Sequence, residues 1–486
     1  MKNLFSEVGA GLAALQRDML GRILLMVLLV VVAYAAGADH NMMFIAGTLG
    51  STATIDGLLK DFYDDEYIAD GVNNKHPLKD VIEDRLMDKK YGGRRVVYTH
   101  HVTRNKSPFA AGENSLFAEG DIQGHIQITI EAKKMMGRIA MTPEAIADSA
   151  ESDMAWEDAE ENNFDKIIDD LARRDELMLS YDGRGVTALI NDASPSGAAL
   201  MTVDSPGGVS GSVFGNRFIQ AGTFLAAINP ATGGIRTGVS KVASNSADGT
   251  SVTFTAAPDA SWADNDYLVK AANGSVTDPL DTEFEHWFWG LLGIFDDGTF
   301  RANYGGVDRT LWPNVNAFVN ASTGALSVDA MQTFADVLDQ RSGGETSLML
   351  CHHSIRRLVL KLTVADRRYM GQDLKTPDPG TVAFKQGDIT VGEVPVKAIR
   401  DFAYGTLLGL DVEGAKLRRY TSTKGEWVKD GDGRILVRSG TGATARDSFE
   451  AWYRMRYQYW AKRPDMAWRA DGITGASITV ARPLGD

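Results

Sequence analysis

The stretch that decides the fold is Thr142–Gly185, TPEAIADSAESDMAWEDAEENNFDKIIDDLARRDELMLSYDGRG. Threonine 142 can cap free amides, Pro143 suits a first helical turn, and Glu144 complements the positive end of the dipole. From Trp156 onward, Phe164, Ile167, Ile168, Leu171 and Met178 trace one apolar face. Glu157, Asp158, Glu160, Glu161, Asp165, Asp169 and Asp170 load the other faces with negative charge. The spacing predicts one long half-buried helix, its acids solvated, stopped by Tyr181-Asp182-Gly183-Arg184-Gly185.

Upstream of this helix the pattern is extended. Arg94–Thr103 suits a strand, and in Gly124–Ala132 the residues Ile126, Ile128 and Ile130 alternate with Gln127, Thr129 and Glu131. These read as two arms of one long hairpin. The polar, glycine-containing stretch Arg104–Gly120 between them is long for a loop in a compact domain, so it is expected to be a projecting tip that reaches another subunit, or else a flexible surface loop. Further upstream, Ile55, Leu58, Leu59 and Phe62 stand at helical spacing before Asp64-Asp65-Glu66, read as a solvated helix end. A short helix over 77–86 stops at Tyr91-Gly92-Gly93.

Downstream, residues 194–277 turn rich in Gly, Ser, Ala, Thr and Val, with strands expected at 224–228, 238–243, 251–255 and 267–271. Evenly spaced short strands predict a small β-barrel or sandwich, inserted into the rest. Beyond it, 281–292 and 327–341 read as helices, 348–362 as an apolar strand passing into a helix, and 388–400, 406–411 and 447–460 as strands.

Composition bounds the function. With 486 residues, 44% hydrophobic and 23% charged, the chain can build two or three compact units. A net charge of −14 opposes binding to a phosphate backbone, which relies on Lys and Arg. A single cysteine, Cys351, excludes an intrachain disulfide and a site of several thiolates, and points to a reducing folding compartment. The apolar run 23–38, flanked by Arg17 and Arg22, is shorter than the roughly 20 residues of a spanning helix. Three readings of it stay open: export or membrane attachment, a removable or inward-facing assembly segment, and a start placed too early, with Met42 or Met43 the true one.

Reaction chemistry finds little support. Asp64-Asp65-Glu66 faces no second acidic pair. His100-His101 and Cys351-His352-His353 are neighbours on strands and point to opposite faces, so adjacency alone does not converge on one ion. Asp430-Gly431-Asp432-Gly433 lacks the later ligands of a calcium loop and reads as a tight hairpin. Neither G-x-S-x-G nor a phosphate loop occurs. Along 451–460 basic and aromatic residues interleave as a single-strand stacking surface would. Period two instead places Ala451, Tyr453, Met455, Tyr457 and Tyr459 on one face and Trp452, Arg454, Arg456, Gln458 and Trp460 on the other, a strand packed on one side. We therefore assign no catalytic, cofactor-binding or metal-binding residue, and expect a protein that is not an enzyme.

The order of these parts resembles the major capsid proteins of tailed bacteriophages, the Hong Kong ninety-seven type. Asn73-Asn74-Lys75-His76-Pro77-Leu78 with Gly92-Gly93-Arg94 is similar to the family's arm and loop entry, and Gly137-Arg138-Ile139 to Ala145-Ile146 to the return into its long helix. Leu171-Ala172-Arg173-Arg174-Asp175 and Asp182-Gly183-Arg184-Gly185 are similar to that helix and the turn after it, where Tyr181 and Arg184 replace the commoner Gly and Thr. Gly392-Glu393-Val394-Pro395-Val396 and Arg463-Pro464-Asp465 resemble the closing strands.

The resemblance implies an α+β major-capsid fold: a segment 1–43 of open role, an N-terminal arm (44–90), an extended β-hairpin loop (91–140) and a peripheral domain with a long spine helix (141–182). An axial domain (183–195 and 277–410), an inserted small β-barrel or sandwich (196–276) and closing peripheral strands (411–486) complete it. It further implies self-assembly into hexamers and pentamers of an icosahedral shell enclosing double-stranded DNA, in a virion assembled in the host cytoplasm. Scaffold, portal and a decoration protein are the implied partners, and membrane contact is expected only if residues 23–38 are retained and exposed. Packaged DNA would be held without sequence-specific binding, and the acidic long helix would face and repel it. Some relatives cross-link the loop through lysine and asparagine; Lys106 lies near the tip, with no partner assigned. Two alternatives stay open: an exported surface or adhesion protein with a β-rich binding module, and a hydrolase pairing Asp296 or Asp297 with another carboxylate.

Overall fold

The structure, a computed structural model, describes residues 78, 82, 87–90, 95–116, 118–144, 159–209, 214–367, 389–391, 394–430, 433–438 and 447–475. The apolar run 23–38, the expected helix around Ile55–Phe62 and the cluster Asp64-Asp65-Glu66 lie outside them, as do residues 145–158 of the expected long helix, most of the expected helix over 77–86 and the Gly431-Asp432 pair. Among the described residues no helix is long and apolar enough to cross a membrane.

In chain order, β1 (Met87–Lys90), β2 (Arg95–Thr103), β3 (Gly124–Glu131) and β4 (Lys133–Met141) precede the long helix α1 (Ala159–Ser180). Then come β5 (Val186–Ile190), β6 (Leu200–Asp204), β7 (Phe224–Ile228), β8 (Ile235–Asn245), β9 (Ser251–Phe254) and β10 (Tyr267–Lys270). The short pairs β11 (Asn303–Tyr304) and β12 (Val307–Asp308) lead to β13 (Phe318–Asn320), β14 (Gly324–Ala325), α2 (Val328–Ser342), β15 (Leu348–His352) and α3 (His353–Arg367). The chain closes through β16 (Ile389–Val391), β17 (Val394–Ile399), β18 (Leu407–Leu410), β19 (Leu417–Trp427), β20 (Val437–Arg438), β21 (Phe449–Ala461), β22 (Ala467–Ala470) and β23 (Ile473–Thr474).

This is a mixed α+β fold. Helix α1 lies on a sheet ordered β1-β19-β21-β20, with β4 on the far side of β21. Gly137 permits that contact, since a Cβ there would come within 2.7 Å of the Ile167 side chain. The helix ends because Gly183 takes a φ of +79°, where a Cβ would stand 2.3 Å from the Phe288 carbonyl oxygen. That is the Asp-Gly stop expected from the sequence.

Strands β5 to β10 close a barrel in the order β10-β5-β6-β9-β8-β7, filled by Ile190, Met201, Val203, Leu225, Val252, Phe254 and Leu268. All four strands expected between 224 and 271 are present. The barrel also takes in Val186–Ile190, ahead of the boundary at 196: β5 pairs with both β10 and β6, and without it the sheet would keep two open edges. A separate six-stranded sheet runs β13-β22-β18-β15-β17-β16. Met331, Phe334 and Leu338 of α2 and Ile355 and Val359 of α3 pack on one face, around Met349, Cys351 and Trp468. The other face gives Leu348, Leu350, Leu408 and Leu410 to the main core.

Two expectations need correction. Residues 281–292 are not a helix: a 3-10 turn at Pro279–Asp281 and a helical turn at Leu291–Ile294 flank irregular chain with Glu285 at φ 57°. Trp287, Phe288, Leu291 and Leu292 are buried there, while Asp281, Glu285 and His286 are exposed. The amides are engaged outside the segment, Glu285 on the Arg184 carbonyl, Trp289 on the Gln458 side chain and Leu292 on the Tyr181 carbonyl. Strand β21 is not packed on one side only, because Gln458 and Trp460 on its second face are also buried. Strands β4 and β19 join it without having been foreseen, since their polar residues hide the alternation.

Candidate assembly surface

The register of β2 with β3 pairs Val96 with Ile130, Tyr98 with Ile128 and His100 with Ile126. Those residues form the face that packs. Tyr98 stacks on Trp460 at 4.9 Å and donates its hydroxyl to the Ala461 carbonyl at 3.1 Å. Thr129 N–H donates to the Gly305 carbonyl at 2.8 Å, and the Asn314 amide to the Val102 carbonyl at 2.6 Å. The root of the hairpin is therefore fixed to β21 and to the β11–β12 region, and it covers Trp460 on the second face of β21.

Beyond Thr103 and Gly124 the strand pairing stops. A clasp ties the two limbs of the tip together: Lys106 N–H donates to Asp121 Oδ2 at 2.9 Å and Ile122 N–H to Asp121 Oδ1 at 2.8 Å. The Asn105 amide donates to the Asp121 carbonyl at 2.6 Å, and Ser107 N–H to Asn105 Oδ1 at 2.7 Å. Donation by Lys106 and then Ile122 holds the Asp121 carboxyl below its ordinary pKa. The tip is thus locally shaped while its side chains face outward. Phe109 is 52% exposed, Leu116 90% and Ile122 83%, three large apolar groups with little cover from their own chain. The sequence pointed to this loop but not to these residues; their only mark was apolar character in polar surroundings.

The candidates for chemistry are placed elsewhere and stay apart. His101 stands opposite His125, ring centroids 5.1 Å apart, while His100 turns to the packed face, where burial lowers its pKa. Cys351 is buried in β15, and burial pushes its thiol up to about 12. His352 Nδ1 lies 3.0 Å from the Ser354 hydroxyl, with burial and then Arg217 lowering its pKa to about 3. Among the described residues no three His, Cys, Asp or Glu side chains gather as an ion would need. Asp296 is fully buried, paired with Arg469 at 3.1 Å and accepting from the amides of Gly298, Phe300 and Arg301. It holds a turn together, out of reach of solvent. At Asp430 the amide donates to the Arg434 carbonyl, and Gly433 N–H donates back to Asp430, as in a tight turn. The aromatic rings of β21 are core groups: Tyr457 lies 4.0 Å from Phe288, and Trp460 under Tyr98.

No protein-family model and no curated protein matches this sequence. Among solved structures the chain is similar to the capsid asymmetric unit of cyanophage A-1(L), with a TM-score of 0.53 at 11% identity, over 87% of this chain and 99% of that one. It is also similar to the capsid of a native GTA particle, with a TM-score of 0.46 at 12% identity, over 88% and 100%. The first similarity shows the fold, which is that of the cyanophage A-1(L) capsid chain.

Proposed function

We propose that this chain, having the fold of a tailed-phage capsid subunit, is a major capsid protein that assembles into hexamers and pentamers of an icosahedral shell enclosing double-stranded DNA. The observation that carries this reading is the outward hairpin, rigid at its root and apolar at its tip, on a fold that spans nearly the whole of a cyanophage capsid chain. In this reading residues 44–90 are the arm, 91–140 the extended loop, and α1 with the closing strands from 411 the peripheral domain. The six-stranded sheet belongs to the axial domain, and the barrel is its insertion. A closed shell repeats each moderate contact by symmetry, so weak individual interfaces suffice. Scaffold, portal and a decoration protein are the further partners, and the virion, built in the host cytoplasm, is the location.

Imaging the purified protein by electron microscopy tests this: shells are expected, and a persistent monomer under every assembly condition, with and without scaffold, refutes it. The tip has its own test. Leu116→Asp and Phe109→Asp place charge where an apolar contact is expected, and should raise the assembly threshold concentration about tenfold per site while leaving urea unfolding of the monomer unchanged. Unaltered light-scattering thresholds in both variants would mean that the tip does not carry the contact.

A further inference from the structure

The sheet that α1 covers on one face turns a basic surface to the other. Register places Lys134, Arg456 and Thr423 on one rung across β4, β21 and β19, and Met136, Arg454 and Glu426 on the next. With Ala132, at the bend from β3 into β4, the side chains of Lys134, Thr423, Arg454 and Arg456 bound a cleft of about 430 Å³. Like charges directly opposite each other destabilise a strand pair. Lys134 and Arg456 are directly opposite, with Arg454 on the diagonal.

Little within the chain offsets this. Glu426 accepts from Arg454 Nη2 at 2.8 Å, and among the described residues that line the cleft there is no carboxylate. Among the described residues Arg454 Nε is buried without a hydrogen-bond partner. Arg456 donates only Nε, to the Ala132 carbonyl at 3.4 Å, and Lys134 makes no ion pair among the described residues. The neighbouring Arg138 differs, being paired with Glu450. In a chain of net charge −14, an uncompensated cluster of cations is not what composition alone would produce.

We propose that this cleft is a binding site for a phosphate-type oxyanion, held by the guanidinium groups of Arg456 and Arg454, the ammonium of Lys134 and the hydroxyl of Thr423. Planar guanidinium forks fit two oxygens of a tetrahedral oxyanion, and the hydroxyl donates to a third. Three cations less Glu426 leave two positive charges, which a dianion neutralises and a single carboxylate does not.

The test titrates inorganic phosphate into the unassembled full-length protein by calorimetry, at ionic strength held constant with chloride, with a short DNA duplex as a second arm. Saturable phosphate binding is expected, weakened about tenfold in Arg456→Ala and in Lys134→Ala, weakened by a smaller factor in Arg456→Lys, which keeps the charge but loses the fork, and changed less than about twofold in Arg138→Ala. Urea unfolding of each variant separates loss of the site from loss of the fold. A duplex that binds with the same dependence on Arg456 identifies polymer phosphate as a source, and phosphate binding without duplex binding identifies the free ion. No saturable binding of either probe, or binding that Arg456→Ala and Lys134→Ala leave intact, overturns the proposal.

Discussion

Replacing Asp296 with alanine is expected to lower the unfolding free energy by about 3–5 kcal/mol, because it strands a buried cation. Both Asp296 and Arg469 are wholly inaccessible, and their side chains meet at 3.1 Å. Arg469 also donates to the carbonyls of Leu292 and Phe295 at 2.9 and 3.1 Å, pairs with Asp471 at 2.8 Å, and lies over the Phe300 ring at 4.5 Å. Asp471 is a second carboxylate, yet it cannot replace the bonds from Asp296 to the amides of Gly298, Phe300 and Arg301. The pair joins β22 to the turn after the Leu291–Ile294 segment, so its loss should loosen both. Asp296→Asn keeps an acceptor for those amides while removing the charge, and should fall between alanine and the native protein. Urea unfolding followed by tryptophan fluorescence measures the series. A loss below about 1 kcal/mol in the alanine variant would show that the surrounding carbonyls and Asp471 hold Arg469 unaided.

Between pH 6.5 and 8 the protein is expected to lose about 2 kcal/mol of stability through Glu176 alone. This carboxyl is fully buried on α1, where it accepts the Leu78 N–H at 3.3 Å. Burial and then the nearby charge of Asp401 raise its pKa to about 8, from 4.5. A raised acid keeps its proton in the folded state where the unfolded chain has already lost it. Stability is therefore complete below pH 4.5 and is lost as pH rises through about 8. Two neighbours act at lower pH and with the opposite sign. His352, lowered to about 3, contributes stability present above 6.5 and lost as pH falls through 3. At Asp401 burial alone would raise the pKa, but the bond from Arg173 and the charges of Arg217 and Arg400 bring it to about 2. Its contribution is complete above 3.8. The alkaline window therefore reports Glu176. Glu176→Gln preserves an acceptor for Leu78 and should abolish the decline. An equal decline in Glu176→Gln would assign it to some other group.

The legible parts were those with a strong local pattern. The span 327–341 read as a helix and α2 occupies it, where the Ser327 hydroxyl accepts the Ala330 N–H at 3.0 Å. Alternating isoleucines marked β3, and evenly spaced short strands marked the barrel. The illegible parts are those whose conformation is held from outside. Residues 281–292 lost their helix because their amides bond outside the segment, to Arg184, Gln458 and Tyr181. The cleft beside Arg456 was equally hidden, since its residues lie on three strands distant in sequence.

Taken alone, the order of residues determined the long acidic helix and its glycine stop, the hairpin, the barrel strands and the order of parts that resembles a capsid subunit. Those features rest on interactions between near neighbours, whose spacing is written along the chain. Only the tertiary structure decided that β5 closes the barrel, that Trp460 is roofed by Tyr98, that Asp296 secures Arg469, and that Lys134 faces Arg456. Each joins residues far apart in sequence, and burial and register, which no local window contains, select among the pairings that composition allows.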